Sequence, residues 1–553
     1  MLKSAWGRIL LMVAGALVVL ALAGWWAFDR YFIYLPGMVQ DIRNPIGPVQ
    51  DVSWQPGPDE APDGERPPNI ILIVADDLGW NDLTLHGGVA GGSVPTPNID
   101  RIAREGVQLT NAYAASGTCA PSRAALMTGR YPTRTGFEFT PTPPGMTQVI
   151  GHVERGQTQR RPFIVNEVSQ DMPEFADMGL PTEETTLAEM LSGAGYHTLH
   201  VGKWHLGNTN GSDPLSQGFD ESLELAGLLY APAGSADIVE ARQDFDPIDQ
   251  VYWAIGRAAV THNNSARFEP DGYITEYFTR EAVEAIEANR NRPFFLYLAH
   301  WAPHSPLQAT REDYEALAHI EDHPLRVYAA MIRALDRGIG EVMDALEVNG
   351  LDDNTIIVFT SDNGGAHYIG LPGINAPYRG WKATFFGGGI RVPTFVRWPG
   401  VIEPGGQMSG LSQHIDIVPT LAAMGGAEPA ADQALDGRDL TPFLTGSQEG
   451  EPHETLFWRS GHYETVIHQG WKLHRTARPD RIWLFNLDDD PEERTDLSAS
   501  EPERVAQLTA LLDAHSATLA EPLWPSIAEM PVGIDQPLGQ PESEEDEYVY
   551  WPN

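Results

Sequence analysis

The sequence predicts an α/β fold built on a large mixed, mostly parallel sheet sandwiched by helices. Two observations predict it. Short β-branched or aromatic runs recur along the chain, and each stops at polar or glycine-rich residues: NIILIVADDLG (69–79), YHTLHVGKWHLG (196–207), RPFFLYLAHWAPHSP (292–306), NTIIVFTSDNGG (354–365) and GIRVPTFVRWPG (389–400). Continuous apolar strands suit a sheet covered on both faces, hence parallel strands between helices. Helical patterns alternate with these runs, at 97–106, 185–195, 279–290 and 327–350, as βα units require. In such sheets ligands sit beyond the carboxyl ends of the strands. Asp76, Asp77, Lys203, His205, His300, His304 and Asp362 all fall there.

The remaining segments follow in chain order. Residues 1–8 carry Lys3 and Arg8, and 9–28 form an uncharged apolar run from Ile9 to Phe28. Twenty such residues make a helix of about 30 Å, enough to cross a bilayer. The preceding positive charges keep the N-terminus in the cytosol, so the rest of the chain is expected to be exported, periplasmic or extracellular. Ala21-Leu22-Ala23 also fits a small-x-small cleavage site, so a secreted form after signal cleavage is the alternative. Residues 29–68 are rich in Pro and Gly and read as an extended linker. A catalytic domain is expected over 69–450. A C-terminal subdomain follows over 451–553, with a small antiparallel sheet from the short aromatic runs TLFWRS, ETVIHQG, WKLHRT and RIWLFNLDDD. A helix at 501–519 and an acidic tail without a core pattern complete it.

Composition narrows the function. The formal charge of −40, with no basic stripe, argues against a nucleic-acid partner. It is awkward for an anionic substrate, but exposed charges are screened beyond ~10 Å at ordinary salt, so a local basic pocket still works. One cysteine, Cys119, rules out an intrachain disulfide and an all-cysteine metal site.

Two strand ends carry oxygen donors. Asp76 and Asp77 close the first run; Asp362 and Asn363 close another and precede Gly364-Gly365. Adjacent carboxylates repel unless something positive sits between them. If the two strands are neighbours, three carboxylates and an amide oxygen converge. Such hard oxygen ligands, without His, imply Ca²⁺ or alternatively Mg²⁺ over Zn²⁺.

Cys119-Ala120-Pro121-Ser122-Arg123, within SGTCAPSRAALMTGRYPTRTG (116–136), fits a C-x-P-S-R signature. GKWHLG (202–207), HWAPH (300–304), SDNG (361–364), YRGWK (378–382) and LFNLDDDPEERTDL follow it. In this order the motifs resemble those of the type I sulfatases, arylsulfatase-like members of the alkaline phosphatase superfamily. The resemblance covers most of the exported chain and implies an alkaline phosphatase-like sheet. It also implies that a formylglycine-generating maturation enzyme oxidises Cys119 to formylglycine. An exported thiol is oxidation-prone and a poor hard-metal ligand, whereas a hydrated aldehyde offers two hydroxyls beside a cation.

The implied reaction is hydrolysis of a small-molecule or saccharide sulfate ester. Asp76, Asp77, Asp362, Asn363 and the modified Cys119 would hold one metal ion, and Arg123 would support the hydrated aldehyde. Lys203 and Lys382 would bind sulfate oxygens, and His304 or Lys382 would protonate the leaving alcohol. His205 would help resolve a covalent sulfated intermediate. A lone Lys or His at a strand end is ordinarily a solvated or hydrogen-bonded side chain; matched motifs at successive strand ends reverse that reading. His300, His367 and His462 are not assigned, and His414 is expected to pack or hydrogen-bond near the site. Gly387 departs from the family pattern, which often has Glu there, and puts local loop packing in question. Two other readings compete. One is a phosphonate monoester or phosphodiester hydrolase of the same superfamily, in which His tends to replace Asn363. The other is an inactive, membrane-tethered binder of sulfated glycans. The connections 137–184 and 221–275 lack clear periodicity and are expected to shape the site; Arg160 and Arg161 in the first are either an anion contact or surface charge.

Overall fold

Every residue of the run Asn69–Ala75 (β1) is buried, which only a sheet with two covered faces allows. The chain was analysed as a computed structural model that describes residues 5–61, 64, 66–143, 160–164, 172–431 and 433–553. The main sheet adds β2 (Val107–Leu109), β3 (His197–Gly202), β4 (Glu221–Leu225) and β5 (Val260–His262). It is completed by β6 (Phe294–Ala299), β7 (Thr355–Ser361), β8 (Thr394–Arg397) and β9 (Gly406–Met408). Its order is β9-β2-β8-β7-β1-β6-β3-β4-β5. The central five, β7-β1-β6-β3-β4, are parallel. Antiparallel partners β8 and β5 flank them.

Side-chain alternation along β1 explains the double burial. Ile71, Ile73 and Ala75 enter one core with the helices Ile274–Ala288 and His323–Val348. Ile70, Leu72 and Val74 enter the opposite core with α3 (Cys119–Thr128) and the helix Ile417–Gly425. A four-stranded antiparallel sheet over residues 455–486 follows, with the helix Pro502–Ser516 packed on it through Leu508 and Leu512.

Three expectations are corrected. The stretch expected as a linker, 29–68, is helical as far as Arg43 and tied to the domain beyond it. The apolar helix α1 (Ala5–Tyr31) leads into a short 3₁₀ turn and then α2 (Leu35–Arg43). Gly37 lets α2 close on α4 (Pro247–Ile255): a Cβ there would lie 2.9 Å from the Ile255 Cα. Beyond α2, Gly47 donates to the Arg267 carbonyl at 2.8 Å, and the buried Trp54 indole donates to Glu281 at 3.2 Å. These ties use main-chain groups and one aromatic ring, so no periodicity announces them.

The acidic tail also has a core pattern. Its strand Tyr548–Pro552 pairs with Ala528–Gly533 and buries Val549 and Trp551. The connection 221–275 holds β4, β5 and α4 rather than an irregular loop. Most of 144–171, in the other connection, lies outside the described residues. Arg160 is engaged by the tail, donating to the Ser543 carbonyl at 2.7 Å and stacking over Tyr548. Trp6–Phe28 is long and apolar enough to cross a membrane, and none of it is buried against the protein.

Candidate active site

The register of the sheet brings the oxygen donors together. β1 and β7 run parallel with Ala75 opposite Ser361, so Asp76-Asp77 and Asp362-Asn363 leave the sheet side by side. The Asp77 amide donates to Asp362 Oδ1 at 3.2 Å, and Asn363 Nδ2 donates to Asp77 Oδ1 at 2.7 Å. Asn363 Oδ1 is buried without a partner among the described residues. All four residues are buried.

Cys119 opens α3. Pro121 fits the first turn, where its missing N–H costs nothing. Ser122 Oγ clasps the incoming loop, accepting from the Ser116 amide and donating to its carbonyl, both at 3.0 Å. The Cys119 Sγ then lies 3.4 Å from Asp76 Oδ1 and 3.8 Å from Asp77 Oδ1. The positive end of α3 faces this point, which favours negative charge there.

Cations surround the carboxylates. Arg123, one turn along α3, pairs with Asp362 at 2.7 Å and Asp76 at 3.4 Å, and donates to the Lys203 carbonyl at 2.7 Å. It acts on the neighbouring carboxylates rather than pointing its bonds at residue 119. Lys203 follows β3, where Gly202 is obligatory: its φ is 117° and a Cβ would lie 1.9 Å from the Ala299 oxygen. The Lys203 Nζ reaches Asp76 Oδ2 at 2.5 Å. Lys382 Nζ contacts Asp77 at 2.7 and 2.9 Å and the Cys119 Sγ at 3.1 Å. Three carboxylates thus face three cations. Burial is the largest influence on Asp76 and Asp77 and opposes ionisation, but Lys203, His304 and Arg123 around the first and Lys382, His304 and Lys203 around the second together outweigh it, so both sit below the usual carboxylate range. For Lys382 burial is likewise outweighed only by its neighbours together, Asp77 first and then Cys119, Tyr368 and Asp76, which hold it well above its ordinary value. Burial, then Asp362 and Asp76, push the Cys119 thiol well up, so a thiolate is disfavoured.

Two histidines complete the ring. His304 Nδ1 meets the Ser305 carbonyl at 2.5 Å, which leaves Nε2 facing Lys382 Nζ at 3.3 Å and Asp77 Oδ2 at 3.6 Å. His205 takes a left-handed backbone, φ 66°, and its Nδ1 has no partner among the described residues. Burial, then Lys203, lower its pKa well below the ordinary value, so it is neutral. Asp76, Asp77, Cys119 and His304 offer ligand atoms within 4.8 Å of one another. The donor set fits a hard cation. Carboxylate oxygens dominate, and the unpartnered Asn363 Oδ1 adds a further acceptor; His304 is already engaged through Nδ1.

Sequence reasoning missed Tyr368, whose hydroxyl donates to Asp77 Oδ2 at 2.9 Å. It lies in the loop that begins with Asp362, and no pattern of the sequence marks it. His414 reaches Thr360 at 3.3 Å, behind the strand end. His300 is fully buried with both ring nitrogens unpartnered among the described residues, and burial lowers its pKa to about 4. His462 sits far along the chain against Glu529. Gly387 donates its amide to Glu493, whose carboxylate also meets Lys472 and His474, each at 2.9 Å. The loop carrying Lys382 is thus held by a carboxylate of the C-terminal subdomain.

A parallel sheet that ends in such a balanced cluster beside a helix N-terminus defines a hydrolase of anionic esters. Comparison with known proteins says which. Residues 68–427 match the Sulfatase family model, and 380–519 match that of the N-sulphoglucosamine sulphohydrolase C-terminal region. The chain is 31% identical over 490 residues to the N-acetylgalactosamine-6-sulfatase of Homo sapiens, covering 82% of this chain and 86% of that one. It is 32% identical over 560 residues to the steryl-sulfatase of Mus musculus, covering 83% of each. The crystal structure of Ps i-CgsB in complex with k-i-k-neocarrahexaose superposes with a TM-score of 0.68 at 32% identity, over 83% of this chain and 95% of that one. The chain belongs to the sulfatase family and is a sulfuric ester hydrolase.

Proposed function

We propose that the chain hydrolyses a sulfate monoester with residue 119, matured to formylglycine, as nucleophile and one divalent cation held by Asp76, Asp77, Asp362 and Asn363. The observation that supports it is the pairing of β1 with β7, which sets both donor pairs beside Cys119 Sγ, 3.4 Å from Asp76 Oδ1. When present, the cation and the aldehyde hydrate supply a Lewis acid and an oxygen nucleophile with a second hydroxyl through which sulfate is later expelled.

The chain's own residues do the rest. Lys203 and Lys382 enter from different strand ends and place two ammonium groups where sulfate oxygens would lie. Aimed before reaction, such charges stabilise the transition state without reorganisation. Arg123 holds Asp76 and Asp362 in place and offsets their repulsion. Lys382 Nζ donates to His304 Nε2, so the proton for the leaving oxygen comes from Lys382, directly or by way of His304. Neutral His205 can accept the proton of the second hydroxyl. Three carboxylates and three cations cancel, so a dication would leave the pocket positive and suited to a sulfate monoanion despite the acidic surface.

Helix α1 is read as a membrane anchor with the catalytic domain exported; its length supports this over a cleaved signal. The test compares a sulfate and a phosphate ester with one leaving group, before and after chelation. Turnover should favour sulfate, stop on chelation and return with Ca²⁺ or Mg²⁺. Full activity after exhaustive chelation would remove the cation from the account.

A further inference from the structure

Cys119, Lys203, His205, His304 and Lys382 line one cavity of about 640 Å³. That volume holds far more than a sulfate group; ligand pockets span roughly 300–1,000 Å³. Away from the catalytic cluster its wall is mostly apolar. Ile248, Val251 and Ile255 come from α4, Met530 and Trp551 from the C-terminal strands, and Phe175 from the loop before β3.

The charges that line it are as telling. Outside the cluster the cavity has Asp41, Glu224 and Asp246 against Arg257 and Arg267. Both arginines are engaged. Arg257 pairs with Asp41 at 2.7 Å, and Arg267 donates to the Asn44 carbonyl. A second sulfate would have to compete with Asp41 for Arg257 and with the Asn44 carbonyl for Arg267. A saccharide would find few hydrogen-bonding groups along α4.

The cavity also touches the anchor. Gln40 and Asp41 of α2 line it, and α2 continues the apolar helix α1 through one 3₁₀ turn. On α2 the side chains of Met38 and Ile42 are 56% and 81% exposed, and Phe175 at the rim is 45% exposed. Exposed apolar residues beside a membrane-spanning helix suit a lipid surface.

We infer that the substrate is an amphiphile with a single sulfate ester and an apolar body, the body lying along α4 and entering beside α2. The inference rests on the sulfatase reading and adds the leaving-group class. Of the two kinds of substrate named by the relatives above, sugar and steryl, the lining favours the second chemistry.

The test uses the full chain in detergent, with residue 119 confirmed as aldehyde, on a series of 4-n-alkylphenyl sulfates. The phenol leaving group stays constant, so rate changes read the tail. Expected is a kcat/KM that climbs about fourfold per added methylene until the cavity fills. Ile248→Asp should flatten that slope, and Ile248→Leu should keep it. A monosaccharide sulfate should fall below the longer tails. Turnover of phenyl sulfate with a flat or falling series, or faster turnover of a polysulfated disaccharide, overturns the apolar-body inference alone. No turnover of any sulfate overturns the sulfatase reading and this inference with it.

Discussion

At Cys119 the surroundings work against sulfur. Burial and two carboxylates keep the thiol protonated, and a neutral thiol is a weak nucleophile and a poor ligand for a hard cation. An oxygen nucleophile suits the same spot, 3.1 Å from the Lys382 ammonium. Cys119→Ser offers one hydroxyl instead of two. It should accept sulfate once and release it very slowly, visible as a sulfated serine peptide; steady multiple turnover by that variant would defeat the two-hydroxyl account. Lys203→Ala and Lys382→Ala each remove a preorganised charge and should lower kcat by about 10²–10³-fold. Glu493 makes a separate prediction. Burial would raise its pKa, but Lys472 and His474 outweigh that and hold it at about 2. A depressed carboxyl contributes stability above its unfolded pKa and loses it as pH falls toward the folded value. Glu493→Gln leaves Lys472 buried without its partner and should cost about 3–5 kcal/mol near neutral pH. Unfolding curves of wild type and variant should converge as pH approaches about 2. Cys119, Lys203 and Lys382 were readable because each sits in a fixed motif; Glu493 was not singled out. Tyr368 was not, since a tyrosine in a glycine-rich loop carries no signal until the fold turns it toward Asp77.

Among the elements, those that bury a continuous apolar face were the ones legible in the sequence. NIILIVA and TIIVFTS became neighbouring strands because both are covered on two sides. Two helix starts were read late, and the run placed at 279 begins at Ile274. The run placed at 327 begins at His323, capped by Asp322, which accepts from the Leu325 amide at 2.8 Å, with Pro324 in the first turn. Segments tied by backbone bonds or a single ring gave no periodic signal. Helix α2 and the strand Tyr548–Pro552 were missed for that reason. Trp551 is 2% exposed and packs against Phe385 and Tyr463 while also lining the cavity. Trp551→Ala should therefore destabilise by about 3–5 kcal/mol and also weaken binding of the longest alkylphenyl sulfates. Thermal unfolding and KM across the series check the two effects separately.

Over the whole molecule, an acidic domain encloses a charge-balanced pocket close to an apolar helix. A surface of net charge −40 repels anions at long range, but screening confines that effect to ~10 Å. Association with a sulfate monoanion should then quicken as salt rises from low ionic strength, the opposite of a basic enzyme; a stopped-flow salt series reads it. The claim on which the rest depends is that residue 119 acts as an aldehyde hydrate. Its most direct test plots sulfate release from an aryl sulfate against the fraction of chains whose residue-119 peptide has the aldehyde mass. The account predicts a straight line through the origin. Full activity in chains that retain the thiol would contradict it.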